Sequence, residues 1–277
     1  MSILVLFHGV GANAGKTVLT RATCRWRSNA GRRVVPFKPV AVGDRFESVG
    51  GVRLDFRMWL LAAAARCEVG PDNSPVQVII RPGGETGQLL VCGVSSGEIE
   101  LVANDSPLLL PPDPRFHQAK DLIVDCVDRL VSRYDEVVVE GAGCAVDLGD
   151  DDLANLFVAR LTGAPIVAVA SAGAGGALTA LAGLMDAYPS DVRRQLAGFA
   201  LNDVRAGARR LMREATRLEA SSGVRFLGGF PHAEIYDRIP AGEHSSLCDD
   251  EAEYEWLARR LSENLDLSAV ISGRLVT

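Results

Sequence analysis

The chain has 277 residues, 48% hydrophobic and 23% charged, with a formal net charge of −6. That is ample apolar material for a large buried core, and the acidic balance argues against partners such as nucleic acid or an anionic membrane. No basic region precedes the first apolar run, and the six cysteines include no C-x-x-C pair, which predicts a cytoplasmic protein without a secretory leader and with reduced thiols.

In chain order, Ile3–Phe7 is an unbroken run of strand formers, Gly9–Gly15 is a loop of small residues, and Lys16-Thr17 opens a helix that Gly31 ends. Strand, glycine loop and helix start are the context of a phosphate-binding loop. The common pattern would place its first glycine at Val10; here Gly9 lies six residues before Gly15, so the loop is one residue longer. Its backbone N–H groups (Gly9, Gly11, Ala12, Asn13, Ala14, Gly15) and the helix N-terminus are suited to phosphate oxygens. Lys16 is then expected to reach the β/γ-phosphates, and Thr17 to take a place on Mg²⁺. A chance Gly-Lys-Thr turn is the plain alternative, and the flanking strand and helix decide against it.

Arg33–Phe37 reads as a second strand, and Pro39 forces the chain out of the sheet there, leaving Lys38 at the edge beside the loop. Arg53–Arg66 reads as a helix; Asp55 at its start fits either a metal ligand or a charge partner for the helix N-terminus. Strands are expected at Val76–Ile80 and Gln88–Cys92, around Pro82-Gly83-Gly84, with a third at Glu98–Val102. After the proline-rich Asn104–Pro114, Ala119, Ile123, Cys126, Leu130 and their neighbours repeat at helical spacing. Glu136–Val139 is a strand ending in Glu140-Gly141-Ala142-Gly143, where an acid can hold Mg²⁺ and glycines admit a ligand.

Leu153–Leu161 is a helix, with Asp147 and Asp150–Asp152 as its acidic start. Pro165–Met185 is uncharged and long enough to span a bilayer, but alanine and glycine dominate it. It therefore reads as a strand (Ile166–Ala170), a glycine turn and a helix (Ala177–Ala187). Leu196–Leu201 ends in Asn202-Asp203, Ala208–Ala220 is helical, Val224–Phe230 is the last strand, and Glu251–Asn264 the last long helix. The alternation predicts one α/β domain over 1–277, of P-loop NTPase type, with a mainly parallel sheet and helices on both faces. Strand-end groups then meet at the carboxyl edge: Gly9–Thr17, Lys38–Gly43, Glu140–Gly143, Ser171–Gly176, Asn202-Asp203 and Pro231-His232.

From Ile3 to about Pro231, the long phosphate loop, Phe37-Lys38-Pro39-Val40-Ala41, Glu140-Gly141-Ala142-Gly143 and Asn202-Asp203 resemble the dethiobiotin synthetase and cobyric acid synthase superfamily of ATP-dependent ligases. The resemblance implies ATP and Mg²⁺ as cofactors and a carboxylate or carbamate activated as its mixed phosphate anhydride. A nitrogen nucleophile then displaces phosphate. It implies catalytic roles for Lys16 and Lys38, metal binding by Thr17, Asp55 and Glu140, and nucleotide contacts from Asn202, Asp203 and Pro231 as well as the loop, Glu140, Gly141 and Gly143. A small carboxylate or diamine substrate and a homodimer also follow from it, with nitrogen expected from free ammonia, a substrate amine or a separate ammonia-supplying subunit. Lys38–Gly43 and Asn202-Asp203-Val204 look more like dethiobiotin synthetase, whereas Pro75–Gly93 and the length look more like the synthetase domain of cobyric acid synthase. Ser171–Gly176 stands where the cobyric branch carries Asp-x-Asp-Arg-Gly-Gly.

A second reading, from another class, is a partner-controlled ATPase switch of the chromosome- or septum-positioning kind. That class usually adds a lysine near the loop start, where this chain has Gly9-Val10-Gly11-Ala12, and Glu251–Asn264 begins acidic rather than basic. No glutaminase domain is expected, since beyond Pro231-His232 only Cys248 and His244 could serve glutamine hydrolysis. Cys144 lacks a base in the sequence, and His8, His117, His232 and His244 show no metal-ligand spacing, so none is assigned a role.

Overall fold

The computed structural model describes residues 3–49, 51–101, 114–147, 149, 152–232 and 251–271. At its centre lies β1 (Ile3–Gly9), flanked by β9 (Glu136–Cys144) and β10 (Ile166–Ser171). Beyond β9 lies β2 (Val34–Phe37); beyond β10 lie β11 (Leu196–Val204) and β12 (Phe226–Pro231). All pairings in this six-stranded sheet are parallel. Continuous apolar runs such as Val137-Val138-Val139 suit strands covered on both faces.

The two-residue period of a strand divides the core. Val5 and Phe7 pack with Leu19 of α1 (Lys16–Asn29), Ala64 of α2 (Phe56–Ala65), Leu257 of α8 (Glu251–Asn264) and Val270 of α9 (Leu267–Ile271). Leu6 joins the other cluster, with Ile123 of α3 (Pro114–Arg133), Val158 of α4 (Leu156–Thr162), Leu181 of α5 (Ala177–Ala187) and Ala215 of α7 (Arg209–Ser222). Helices cover both faces, as the alternation predicts. The uncharged stretch at Pro165–Met185 is β10, a 3₁₀ turn at Ala172–Ala174 and α5, and no described helix is long and apolar enough to cross a membrane.

Several elements differ from the sequence reading. Val40–Gly43 is a strand, β3, not a loop: past Pro39 the chain pairs in parallel with β6 (Val76–Ile80), opening a second sheet. That sheet runs β3-β6-β7-β8, with β7 at Thr86–Val91 and β8 at Val94–Glu100. Its Val40, Val78, Leu89 and Ile99 belong to the same core as Leu6. The expected helix over 53–66 begins only at Phe56, because β4 (Phe46–Val49) and β5 (Val52–Asp55) form an antiparallel hairpin that ends at Asp55. A short helix, α6 (Ser190–Arg193), precedes β11. Most of the Asn104–Pro114 connection, Asp150-Asp151, and the segment with His244 and Cys248 lie outside the described residues.

His8 on β1 is fully buried, with its Nδ1 2.9 Å from the Tyr188 hydroxyl. Burial, with Lys16 nearby, pushes the imidazole down to about 3 from the model-peptide value of 6.5. Between those values the unfolded chain binds a proton that the folded chain refuses, so this contribution to stability is lost as pH falls. In urea unfolding, the stability of the protein relative to His8→Gln should drop by about 1.4 kcal/mol per pH unit below about pH 6. A constant difference between pH 7 and 4 would contradict a neutral buried His8.

Candidate active site

The order of the sheet decides which groups meet. Placing β1 in the middle sets its phosphate loop between two flanks: β10, β11 and β12 bring Ser171, Asn202, Asp203, Pro231 and His232 to one side, β9 and β2 bring Glu140 and Lys38 to the other. All of these line one cavity of about 670 Å³, together with Gly11–Val18, Gly141, Gly143, Cys144 and Arg57.

The loop depends on two left-handed residues, Asn13 (φ 60°) and Gly15 (φ 102°). The side chain of Asn202 occupies the space a Cβ on Gly15 would need. Gly9 does not line the cavity; a Cβ there would meet the Lys16 Nζ, so this glycine makes room for the lysine. That ammonium donates to the carbonyls of Gly11 (2.9 Å) and Gly143 (3.0 Å). Burial pushes its pKa down to about 8, with Glu140 opposing the shift and Lys38 adding to it.

Glu140 lies at the junction. Its Oε1 accepts from the Thr17 hydroxyl (2.8 Å) and from Lys38 Nζ (2.8 Å). Its Oε2 is buried and has no hydrogen-bond partner among the described residues, an expensive state for a carboxylate oxygen. An unpartnered anionic oxygen beside a hydroxyl and a phosphate loop fits a hard divalent cation, which takes protein oxygens alongside phosphate and water.

Asp55 stands one side chain further out, with an oxygen 3.9 Å from Lys38 Nζ. It is fully buried, does not line the cavity, and caps α2 by accepting from the Arg57 N–H (2.9 Å). Both its oxygens also take the Arg57 guanidinium, whose Nη2 donates besides to the Val42 carbonyl (3.0 Å). Lys38 and Arg57 together hold the Asp55 carboxyl below its usual range against the opposing effect of burial, the largest single influence. Of the expected metal set, the structure therefore joins Thr17 and Glu140 directly, and gives Asp55 a cation partner of its own.

Gly141 serves packing: a Cβ there would meet the Asn155 side chain, which donates to the Ala142 carbonyl (2.8 Å). α4 begins at Leu156 rather than the expected Leu153, with Asn155 as its N-cap and no side-chain cap. Asp152 instead closes the preceding turn by accepting from the N–H groups of Ala154 and Asn155, and Asp147 lines the cavity. Burial raises the Cys144 thiol, which makes it a poorer nucleophile. Arg57, Ile80 and Arg205 are cavity residues that sequence reasoning missed, and Cys144, Asp147 and His232 ones it set aside. His232 pairs with Asp203, itself left-handed at φ 61°. The only signal for Arg57 was its place two residues after a helix-capping aspartate.

A parallel α/β sheet with a phosphate loop at its carboxyl edge and a lysine–glutamate–threonine cluster beside it defines a P-loop NTPase-type protein. Its sequence relatives are cobyric acid synthases. It is 32% identical over 263 residues to the cobyric acid synthase of Pelotomaculum thermopropionicum, covering 91% of this chain and 47% of that protein. It is 30% identical over 253 residues to the probable cobyric acid synthase of Methanococcoides burtonii, covering 90% and 48%. The chain thus spans about half the length of the curated relatives it matches. No protein-family model matches it. Among solved structures, the MinD cell division protein of Aquifex aeolicus aligns at 12% identity and TM-score 0.49, over 95% of this chain and 98% of that one.

The lowered Lys16 pKa has a measurable consequence. Phosphate binding needs the charged ammonium, and bound phosphate raises its pKa, so ADP should bind with proton uptake above about pH 8. Affinity should be level near pH 7 and fall by up to about tenfold per unit above pH 8. Calorimetry in buffers of different ionisation heat measures both, and Lys16→Met should bind weakly with no such dependence. Wild-type affinity unchanged from pH 7 to 9.5 would contradict the assignment.

Proposed function

We propose that the chain is an ATP- and Mg²⁺-dependent carbon–nitrogen ligase. It activates a carboxylate or carbamate by phosphorylation and passes it to an amine or ammonia. The observation that carries this reading is Glu140, buried between the Thr17 hydroxyl and the Lys38 ammonium with its second oxygen unpartnered among the described residues.

Glu140 and Thr17 would hold Mg²⁺, which supplies neutralisation of phosphate charge when bound. Lys16 leaves the Gly11 and Gly143 carbonyls for the β/γ-phosphates, and Lys38 faces the same phosphoryl group from the opposite side. Their two charges stabilise what develops as an acceptor oxygen attacks the γ-phosphorus and ADP departs. The nitrogen then attacks the activated carbonyl carbon, and phosphate leaves with the former acceptor oxygen. Asn202, against Gly15 on the far flank, is assigned to the adenine.

The names of the similar proteins favour amidation of a carboxylate on a corrin framework over ring closure of a diamine. Nitrogen is assigned to free ammonia or an amine, because burial raises the one thiol in the described cavity, Cys144.

Steady-state assays with ATP and Mg²⁺ would compare corrin carboxylates with diamines plus bicarbonate, and ammonium with glutamine and with no added nitrogen. Turnover with a corrin carboxylate and ammonium is expected. Lys38→Ala should lower kcat by about 10²-fold or more with ADP affinity nearly unchanged. ATP hydrolysis stimulated by DNA or lipid vesicles, and by no carboxylate, would overturn the reading.

A further inference from the structure

The ligase reading gives the adenine the flank of Asn202, Asp203 and Pro231, which leaves the acceptor the Lys38 side of the phosphate loop. On that side the cavity is walled by Val42 and Ile80 of the second sheet and by Arg57 at the start of α2. Arg57 differs from the other cations there. Lys16 and Lys38 are almost wholly buried and engaged with loop carbonyls and Glu140, whereas the Arg57 side chain is 31% exposed.

Its guanidinium is fixed along one edge only. Nε and Nη2 are held by the two Asp55 oxygens, and Nη2 also by the Val42 carbonyl. The remaining donor group, Nη1, has no hydrogen bond among the described residues and is not enclosed. Gly43 is part of the arrangement, since a Cβ there would come within 3.0 Å of Nη2. A planar cation pinned on one edge has little conformational freedom left to lose when its other edge takes an anion.

We propose that Arg57, oriented by Asp55 and Val42, is the acceptor-binding residue, receiving a carboxylate of the acceptor on Nη1 while Val42 and Ile80 contact its apolar framework. The substrate class this selects is a carboxylate on an apolar scaffold rather than a small hydrophilic acid. The proposal rests on the ligase reading for its meaning, but the binding step itself is independent of turnover. Arg57 is a binding residue here, and Asp55 a positioning residue acting through it.

The probe is butyrate, titrated into full-length protein both alone and saturated with Mg·ADP, with the Arg57 Nε resonance (assigned by its loss in Arg57→Lys) followed by NMR. Chloride at equal ionic strength and butyramide are the controls. Saturable movement with butyrate and none with either control is expected. Arg57→Met should weaken butyrate binding by about tenfold or more, roughly the loss of one charged hydrogen bond, and leave ADP affinity within twofold. Asp55→Asn should weaken butyrate binding too, and Arg57→Lys, which keeps the charge, should restore part of what Met loses. An equal response to chloride, or butyrate binding that survives Arg57→Met, overturns the proposal. Failure of ADP to bind would instead count against the ligase reading, and the nucleotide-free titration would still decide the role of Arg57.

Discussion

A carboxylate that is 2% exposed must be compensated within the protein, and Glu140 draws its compensation from two separate segments. The Thr17 hydroxyl comes from the first turn of α1 and the Lys38 ammonium from the end of β2, both onto the same oxygen. The ends of three elements are thereby held in one geometry by one charged group. The second oxygen has no partner among the described residues, which makes the cluster structurally closed on one side and chemically open on the other.

Around this group the sheet order divides the work. Because β1 lies between β9 and β10, its loop has Asn202 and Pro231 on the flank of β11 and β12, and Lys38 and Glu140 on the flank of β2 and β9; the proposed reading gives the purine the first and the terminal phosphate the second. The second sheet extends the latter side. It shares its apolar residues with the main core, so the cavity wall at Val42 and Ile80 is part of the same packed body as the phosphate loop. Binding precision of this kind depends on close packing rather than on a flexible loop.

Much of this was legible in the chain. The strands of the main sheet announce themselves as apolar runs closed by glycine, proline or aspartate, and Ala177–Ala187 and Glu251–Asn264 coincide with their helices. What the sequence could not display were pairings between distant short segments. Val40–Gly43 is a strand only because Val76–Ile80 offers it an edge, and the period of Arg53-Leu54-Asp55 is compatible with either a helix start or the last residues of a hairpin. The site was legible where chemistry and strand end coincide, at Lys16, Lys38, Glu140 and Asn202. Arg57 was hard to read because Asp55, two residues before it, could equally well serve the helix or a metal, and only the fold shows it engaged by the guanidinium.

The central claim is that Glu140 supplies the cation site of this cavity. The most direct measurement is the affinity of Mn²⁺ for the ADP-loaded protein, followed by electron paramagnetic resonance, in wild type and in Glu140→Gln, which keeps the size of the side chain and an oxygen for Thr17 and Lys38. Loss of the carboxylate charge should weaken Mn²⁺ by at least about tenfold, a modest value for a direct anionic ligand, with metal-free ADP binding close to wild type. Equal Mn²⁺ affinity in the two proteins would contradict the account.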